Sequence, residues 1–382
     1  MRNLTPPALL RGALAVLVLA AAASAQGLVD ARTALSSFPD SQAVLFVNAR
    51  RITTHALPRL LPKAEYDKLI AQPRQFGFDV RDIDSIAVGA RFADPAQPAG
   101  IPEVLIVIRG RVNANALLAM ARVAGSTQNI TPTEESYGGR TMQVYDLTRL
   151  GQPAAPAGDG ANGEPAPPKP PPFPFKEVAA LALDDNTLLI GVPAYVKAAV
   201  DAMGGQGRLK PSLLDLAARD PQQLWSLSAE LPPNLAEYAQ RMGVPKNAEA
   251  ERVMAWLKQV SVSNGMDARN FTVGAAVQTD HPDHASALSG MVRMGMNALQ
   301  TAAEADIRKK RAKPAEARQA QIALRAIRTF SNRTEGNVLL LGGFFPQTSV
   351  AEVVRKEFGP KKPAPKKTAP RATARRRSTR RR

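Results

Sequence analysis

Two strand-type runs follow one another with only a turn or loop between them at several places in this chain. Ile83–Phe92 (IDSIAVGARF) and Glu103–Val112 (EVLIVIRGRV) flank a Pro/Gly-rich loop at Asp94–Pro102, and Val178–Leu183 and Thr187–Gly191 flank Asp184-Asp185-Asn186. Neighbours joined this tightly pair as antiparallel hairpins, because a parallel crossover needs a dozen or more residues. Helical spacing fills the intervals: Leu57–Ile70, Ala114–Val123 behind Asn113 as its N-cap, and Ala194–Met203 behind Pro193. Hairpins alternating with helices predict an α+β fold rather than a doubly wound parallel sheet.

The same order returns in the second half. Leu224–Ala229 follows Asp220-Pro221 as Ala43–Asn48 follows Pro39-Asp40, with Val44 and Leu224 in the two leading strands 180 residues apart. Helical stretches at Leu235–Met242 and Ala248–Lys258 precede strand runs at Gln259–Ser263 and Phe271–Thr279. Helices over Pro282–Ala305 and Ala315–Ile327, a strand at Val338–Phe344 and a helix at Ser349–Phe358 complete the series. We therefore expect two related units, 26–205 and 206–358, each an antiparallel sheet with packed helices. Thr141–Leu147 adds a strand entered through Gly138-Gly139. Alternation places Ile86, Val88 and Ala90 on one face of their strand, and Leu288, Met291, Gly295, Leu299 and Ala302 on one helical stripe. Met291, Met294 and Met296 read as ordinary core packing. Residues 151–175 are proline-rich with almost no aliphatic bulk, the composition of a disordered insertion.

The two ends differ from the body. Arg2 and Arg11 precede an apolar run, Gly12–Ala23, that ends in Ala23-Ser24-Ala25. Basic start, short apolar core and small-x-small exit form a secretory signal over residues 1–25, cleaved after Ala25, and the run is shorter than the roughly 20 residues a membrane-spanning helix needs. The mature chain is then periplasmic or extracellular, without a transmembrane helix. With no cysteine among 382 residues, disulfides, thiolate metal sites, a cysteine nucleophile and a lipid-bearing cysteine are all excluded. An exported protein without disulfides points to a bacterial source. The net charge of +17 is concentrated at 359–382, a disordered basic tail. Lys361, Lys362, Lys366, Lys367, Arg371, Arg375, Arg376, Arg377, Arg380, Arg381 and Arg382 lie there without an acid among them, which designates an anionic-surface binding segment.

Candidate chemistry is sparse. His281-Pro282-Asp283-His284 offers two imidazoles to a divalent ion, although Asp280 as a cap and Pro282 in the first turn explain the stretch as a helix start. Asp79, Asp82 and Asp84 lack calcium-loop spacing and read as turn residues. Gly204-Gly205-Gln206-Gly207 follows a helix instead of leading into one, so it reads as a C-cap and not a phosphate cradle. No GxxxxGK[ST], HExxH, GxSxG or SxxK pattern occurs, and no cofactor is expected.

Phe38-Pro39-Asp40-Ser41-Gln42-Ala43-Val44, Ile83–Phe92 and Val178–Met203 resemble exported, uncharacterised bacterial α+β proteins with an internally duplicated unit. That resemblance implies an envelope location and brings no catalytic residues. The tail is similar in composition to the basic tails of linker histones and bacterial histone-like proteins. The expected function is that of a non-enzymatic envelope binding or scaffold protein. Its tail would meet an anionic envelope polymer or lipid surface, and its body a possible protein partner. Alternatives are a nucleic-acid-associated protein, using the tail and Arg308–Lys313, and an exported hydrolase with a site around His281 and His284.

Overall fold

The computed structural model describes residues 30–74, 78–92, 102–127, 130–149, 175–241, 243, 245–309, 321, 324–325 and 327–358. The signal segment, the proline-rich insertion up to residue 174, most of the helix expected over Ala315–Ile327, Lys310–Lys313 and the tail lie outside them.

The strands are β1 (Ala43–Val47), β2 (Ile83–Arg91), β3 (Glu103–Gly110), β4 (Thr133–Tyr137), β5 (Arg140–Asp146), β6 (Glu177–Asp184), β7 (Thr187–Gly191), β8 (Gln223–Glu230), β9 (Leu257–Met266), β10 (Asn270–Thr279), β11 (Ser331–Glu335) and β12 (Val338–Pro346). They form one sheet in the order β11-β12-β10-β9-β8-β1-β2-β3-β7-β6-β5-β4, antiparallel throughout. The fold is α+β, and the sheets expected of the two stretches are halves of a single sheet. They meet at β1–β8, where Leu45 stands opposite Leu227. Outward from that seam the order is mirrored for three strands, β1-β2-β3 on one side and β8-β9-β10 on the other; two later hairpins, β7-β6 and β5-β4, extend the first side and one, β12-β11, the second.

Helices line both faces. They are α1 (Ala31–Leu35); α2, which runs as Ala49–Arg51, a π-helical segment Ile52–Ala56 and Leu57–Leu60; α3 (Lys63–Arg74); α4 (Ala114–Thr127); α5 (Pro193–Met203); α6 (Pro211–Ala217); α7 (Leu235–Arg241); α8 (Ala248–Trp256); α9 (Pro282–Lys309); and α10 (Gln347–Phe358). Their starts follow from side-chain chemistry. Asp30 accepts from Thr33 N at 2.7 Å, Asn48 from Arg51 N at 2.9 Å and Asn113 from Ala116 N at 3.1 Å. Pro193 occupies the first turn of α5, and Gly204 ends it as expected. The β4–β5 turn, Gly138-Gly139, has φ of 57° and 73°, a pair of left-handed residues suited to a two-residue hairpin.

Side chains alternate across a strand, so register assigns every residue to one of two faces. The first face carries the main core. Val44, Phe46, Ala87, Leu105, Val107, Met142, Leu181 and Leu189 pack there against Leu35, Phe38, Tyr195, Val196 and Leu213. Tyr195 is wholly buried, and its hydroxyl lies 2.5 Å from Ser41 Oγ and 3.2 Å from the Asp40 carbonyl. Gly89 lies directly beneath: a Cβ there would come within 2.5 Å of the Phe38 ring and 2.7 Å of the Tyr195 hydroxyl. The expectation that Ile86, Val88 and Ala90 share one face of β2 holds, and that face is the less buried one. Ser85, Ala87 and Gly89, the small residues, are its buried face, while Ile86, Val88 and Ala90 share the other face and remain half-exposed.

Sequence reading omitted α1, α6, β4 and β11, and placed the helix after β1 too late, since α2 begins at Ala49. Both edge strands are polar, TEESY in β4 and SNRTE in β11, and offer little to another strand.

Two outcomes test this core. Gly89→Ala should lower stability by about 1–3 kcal/mol, because neither aromatic neighbour has room to retreat. Burial pushes the Tyr195 phenol up to about 12 from its ordinary 10. The folded state therefore favours the protonated ring. That stability is complete below pH 10 and is lost as pH rises to about 12, a decline of about 2–3 kcal/mol measurable by urea unfolding. Tyr195→Phe should flatten that decline.

Candidate functional site

The second face of the sheet is the unusual one. Leu45 pairs with Val88, and Val88 with Ile106; Leu45 also pairs with Leu227, Leu227 with Val262, Val262 with Ala275 and Ala275 with Leu341. These seven apolar side chains form one unbroken row across seven adjacent strands, about 29 Å long at the usual inter-strand spacing. At its centre Leu227 is 46% and Val262 39% exposed. Central strands of a large sheet ordinarily have such residues covered, and a contiguous exposed apolar patch marks a binding surface.

The local sequence explains the inversion. Gln223, Ser226, Ser228 and Ser261 alternate with Trp225, Leu227 and Val262, and the polar set is the buried one. Ser226 Oγ and Gln223 Nε2 donate to the Ala217 carbonyl at 2.7 and 2.9 Å. Ser261 Oγ donates to the Leu216 carbonyl at 3.4 Å, and Ser228 Oγ donates to Ser261 Oγ at 2.8 Å. These groups satisfy the last carbonyls of α6, which the helix itself cannot. With the hydroxyls committed beneath α6, the leucine and valine must point to the other face.

Helices border the row without covering it. On one side α4 packs Ala114 and Leu118 against Ala180 and Leu188. On the other, α9 lies by β10, β11 and β12, and Asn332 Nδ2 donates to its Ser289 carbonyl at 2.7 Å. The stripe expected on α9 is largely outside: Leu288 is buried, but Leu299 is 56% exposed and Met291, Gly295 and Ala302 are exposed too, as is Met294 beside them. Along one flank of the row, at the Val47 end of β1, α2 and α10 pack Ile52, Ala56, Leu60 and Ala351 with Val47, Leu224 and Met266. At the opposite strand-ends, α7 and α8 connect β8 to β9 and bury no residue. The result is an apolar trough with a floor of strands and helical borders.

The residues singled out from sequence lie elsewhere. His281 and His284 begin α9 with ring centroids 6.0 Å apart. His284 Nδ1 lies 2.6 Å from Asp280 Oδ1, and its ring stacks on Trp256 at 4.2 Å and 5°. His281 Nδ1 lies 3.3 Å from an Asp283 carboxylate oxygen. The hydrogen bond from His284 holds the Asp280 carboxyl below its ordinary range. Each imidazole thus has its own carboxylate, and among the described residues no group of three or more His, Asp or Glu converges on a metal position. The acidic cluster is likewise dispersed: Asp79 pairs with Arg74 and Arg81, Asp82 with Arg111, and Asp84 with Arg50. The tail cations lie outside the described residues.

On the first face, a cavity of about 380 Å³ over β9–β12 is lined by Arg219, Asp220, Ser263, Thr272 and Arg333. Arg219 and Arg333 both pair with Glu335, so its cations are already matched. Among the described residues no helix is long and apolar enough to cross a membrane.

The trough gives a direct expectation. The native chain at neutral pH should enhance 8-anilinonaphthalene-1-sulfonate fluorescence, and Leu227→Gln with Val262→Gln should remove most of that signal. Both side chains are exposed, so stability should move by no more than about 0.5 kcal/mol each.

No family model matches the chain, and no curated protein sequence matches it. Among solved structures, crystal forms III, IV and I of TP0453 resemble it, with TM-scores of 0.39, 0.40 and 0.36 and identities of 9, 9 and 10%. The matches cover 84, 86 and 84% of this chain and 97, 97 and 96% of the other.

Proposed function

We propose that this is an exported, non-enzymatic envelope protein that takes the acyl chains of an anionic lipid into the trough and is held at anionic surfaces by its basic tail. The observation that carries the reading is the exposure of Leu227 and Val262 at the middle of an apolar row that continues through Leu45. A row of about 29 Å exceeds the depth of one bilayer leaflet, about 15 Å, so a single acyl chain fits along it. The choice of an anionic lipid follows from charge. The chain carries +17, and eleven cations without an acid sit between Lys361 and Arg382. Each cation near an anionic membrane contributes about 1 kcal/mol. A nucleic-acid reading draws on the same cations and leaves the apolar row without a purpose.

Two separable measurements test this. After incubation with phosphatidylglycerol vesicles and gel filtration, the protein should carry lipid detectable by mass spectrometry, and Leu227→Glu should reduce that load by about tenfold or more, since a carboxylate has no partner among acyl chains. Deleting Lys361–Arg382 should abolish salt-sensitive vesicle binding yet leave uptake from detergent-dispersed lipid intact. A lipid-free protein that instead elutes as a dimer, with Leu227→Glu restoring the monomer, would assign the row to a second copy of the chain and overturn the lipid reading.

A further inference from the structure

We infer that the cleft on the first face, over β9–β12, is a second binding site and takes a segment of neutral oligosaccharide. Leu227 and Val262 point to the opposite face, so this site goes beyond the lipid reading and does not depend on it. Its floor is built from unusual residues. In register, Ser263 of β9 pairs with Gly274 of β10, Gly274 with Gly342 of β12, and Gly342 with Ser331 of β11. Two glycines thus lie between two serines in a row across four strands, about 14 Å long at the usual inter-strand spacing. Glycine inside a strand weakens it and marks a place where something approaches the backbone closely. On the second face the protein itself approaches: the Phe330 ring lies 2.8 Å from where a Cβ on Gly343 would stand. On the first face, a Cβ on Gly342 would meet none of the described residues within 4 Å. Gly342 therefore clears a surface that the fold leaves open. The cavity above it, about 380 Å³, falls within the range of small-molecule sites, about 300–1,000 Å³.

The groups around these glycines define the chemistry of the ligand. Thr272 Oγ1 is out of contact with solvent and has no hydrogen-bond partner among the described residues. It lies over Gly265, its partner in register, 2.7 Å from the position of a Cβ there, and Asp220 Oδ2 comes within 2.9 Å of the same point. A buried hydroxyl left without a partner is costly. A ligand hydroxyl that accepts from Thr272 and donates to Asp220 satisfies both. Ser263 Oγ stands 2.9 Å from the Cβ position of Gly274, so a glycine also clears the space beside this hydroxyl. The floor strands β9, β10 and β12 are paired on both sides, and they offer side-chain hydroxyls but no free backbone to a peptide. Charge argues against an anion. Arg219 Nη1 lies 2.6 Å and Arg333 Nη2 3.0 Å from the Glu335 carboxylate oxygens, and Asp220 supplies a second carboxylate. Leu216, Ala276 and Leu340 give the cleft an apolar part suited to the C–H bonds of a sugar. Phe344, paired with Thr272 and 47% exposed, adds a ring whose negative face attracts the same bonds. Hydroxyls, bare backbone, balanced charge and an apolar patch fit a neutral polyhydroxylated chain, and the row is longer than a single sugar ring.

The full chain should be applied to an array of neutral and anionic oligosaccharides with free monosaccharides alongside, and its strongest neutral ligand titrated by calorimetry. Neutral oligosaccharides should bind, with little dependence on salt. Gly342→Val places its methyl groups in the open space and should weaken that binding about tenfold or more. Its urea midpoint should stay at or above that of the wild type, because valine suits a strand better than glycine. Thr272→Val should weaken binding about 2- to 10-fold, the equivalent of one hydrogen bond, without lowering the urea midpoint, and Thr272→Ser should restore it. A threonine with a purely structural role would not separate binding from stability in this way. Leu227→Glu, on the opposite face, should bind the saccharide as the wild type does even where it loses lipid. Failure to bind any neutral saccharide, or equal binding by the wild type and Gly342→Val, overturns the site. Binding of anionic members alone, lost as salt is raised, assigns them to the cations of the chain and also overturns it. Monosaccharides that bind as tightly as the oligosaccharides overturn the chain segment and make a small sugar the ligand.

Discussion

The contact between the end of α6 and the serines of β8 and β9 governs how this sheet is used. A short helix ending over a sheet must find partners for its last carbonyls. Here Ser226, Ser261 and Gln223 supply them from strand positions that an ordinary sheet fills with aliphatic side chains. Period-two alternation then leaves no freedom: Leu227 and Val262 go to the opposite face. Exposing them is the cost of ending α6 there. The same arrangement brings α6 close to the seam, so the polar contacts that anchor this helix on β8 and β9 also create the surface that we assign to lipid.

The seam organises what surrounds it. Outward from β1–β8 the two halves repeat an order of strands, and each places helices on the trough side, yet the copies have diverged in how firmly those helices are held. The first half joins its leading strands through α2, with buried aliphatics and the Arg50–Asp84 pair, and the second through α7 and α8, which bury no residue. The outer strands carry charges spent on local pairs, Glu134 with Arg122 and Glu335 with Arg219 and Arg333. A protein with an open apolar floor thereby avoids offering open strand edges as well.

Much of the architecture was legible in the sequence because it rests on local signals. Paired strand runs, the Asp184–Asn186 and Gly138-Gly139 turns, Asn113 as a cap and Pro193 at a helix start all give their elements without tertiary information. The site was not legible, and the reason is specific. Alternation in LWSLSA and QVSVSN shows that two faces differ, but by default the aliphatic face is assigned to the core. Only the carbonyls of α6, in a helix whose Pro211 start went unread, reverse that assignment. The α9 stripe failed in a related way: its spacing is helical, but the sheet beneath accommodates only part of its length. The histidines were conspicuous by their rarity, and the fold gives them carboxylate neighbours and a tryptophan to stack on. One signal could have found the trough, namely serine in alternate positions of two neighbouring central strands, which is a poor composition for a buried face unless something polar lies above it.

The chain has two tryptophans. Trp225 packs in the apolar cluster of α2 and α10 on one flank of the trough, and Trp256 ends α8 at the opposite strand-ends, stacked on His284. The stacked imidazole beside Trp256 is a ready quencher, while Trp225 sits among aliphatic side chains. The molecule therefore contains its own pair of optical reporters in unlike surroundings, one on each flank of the same sheet.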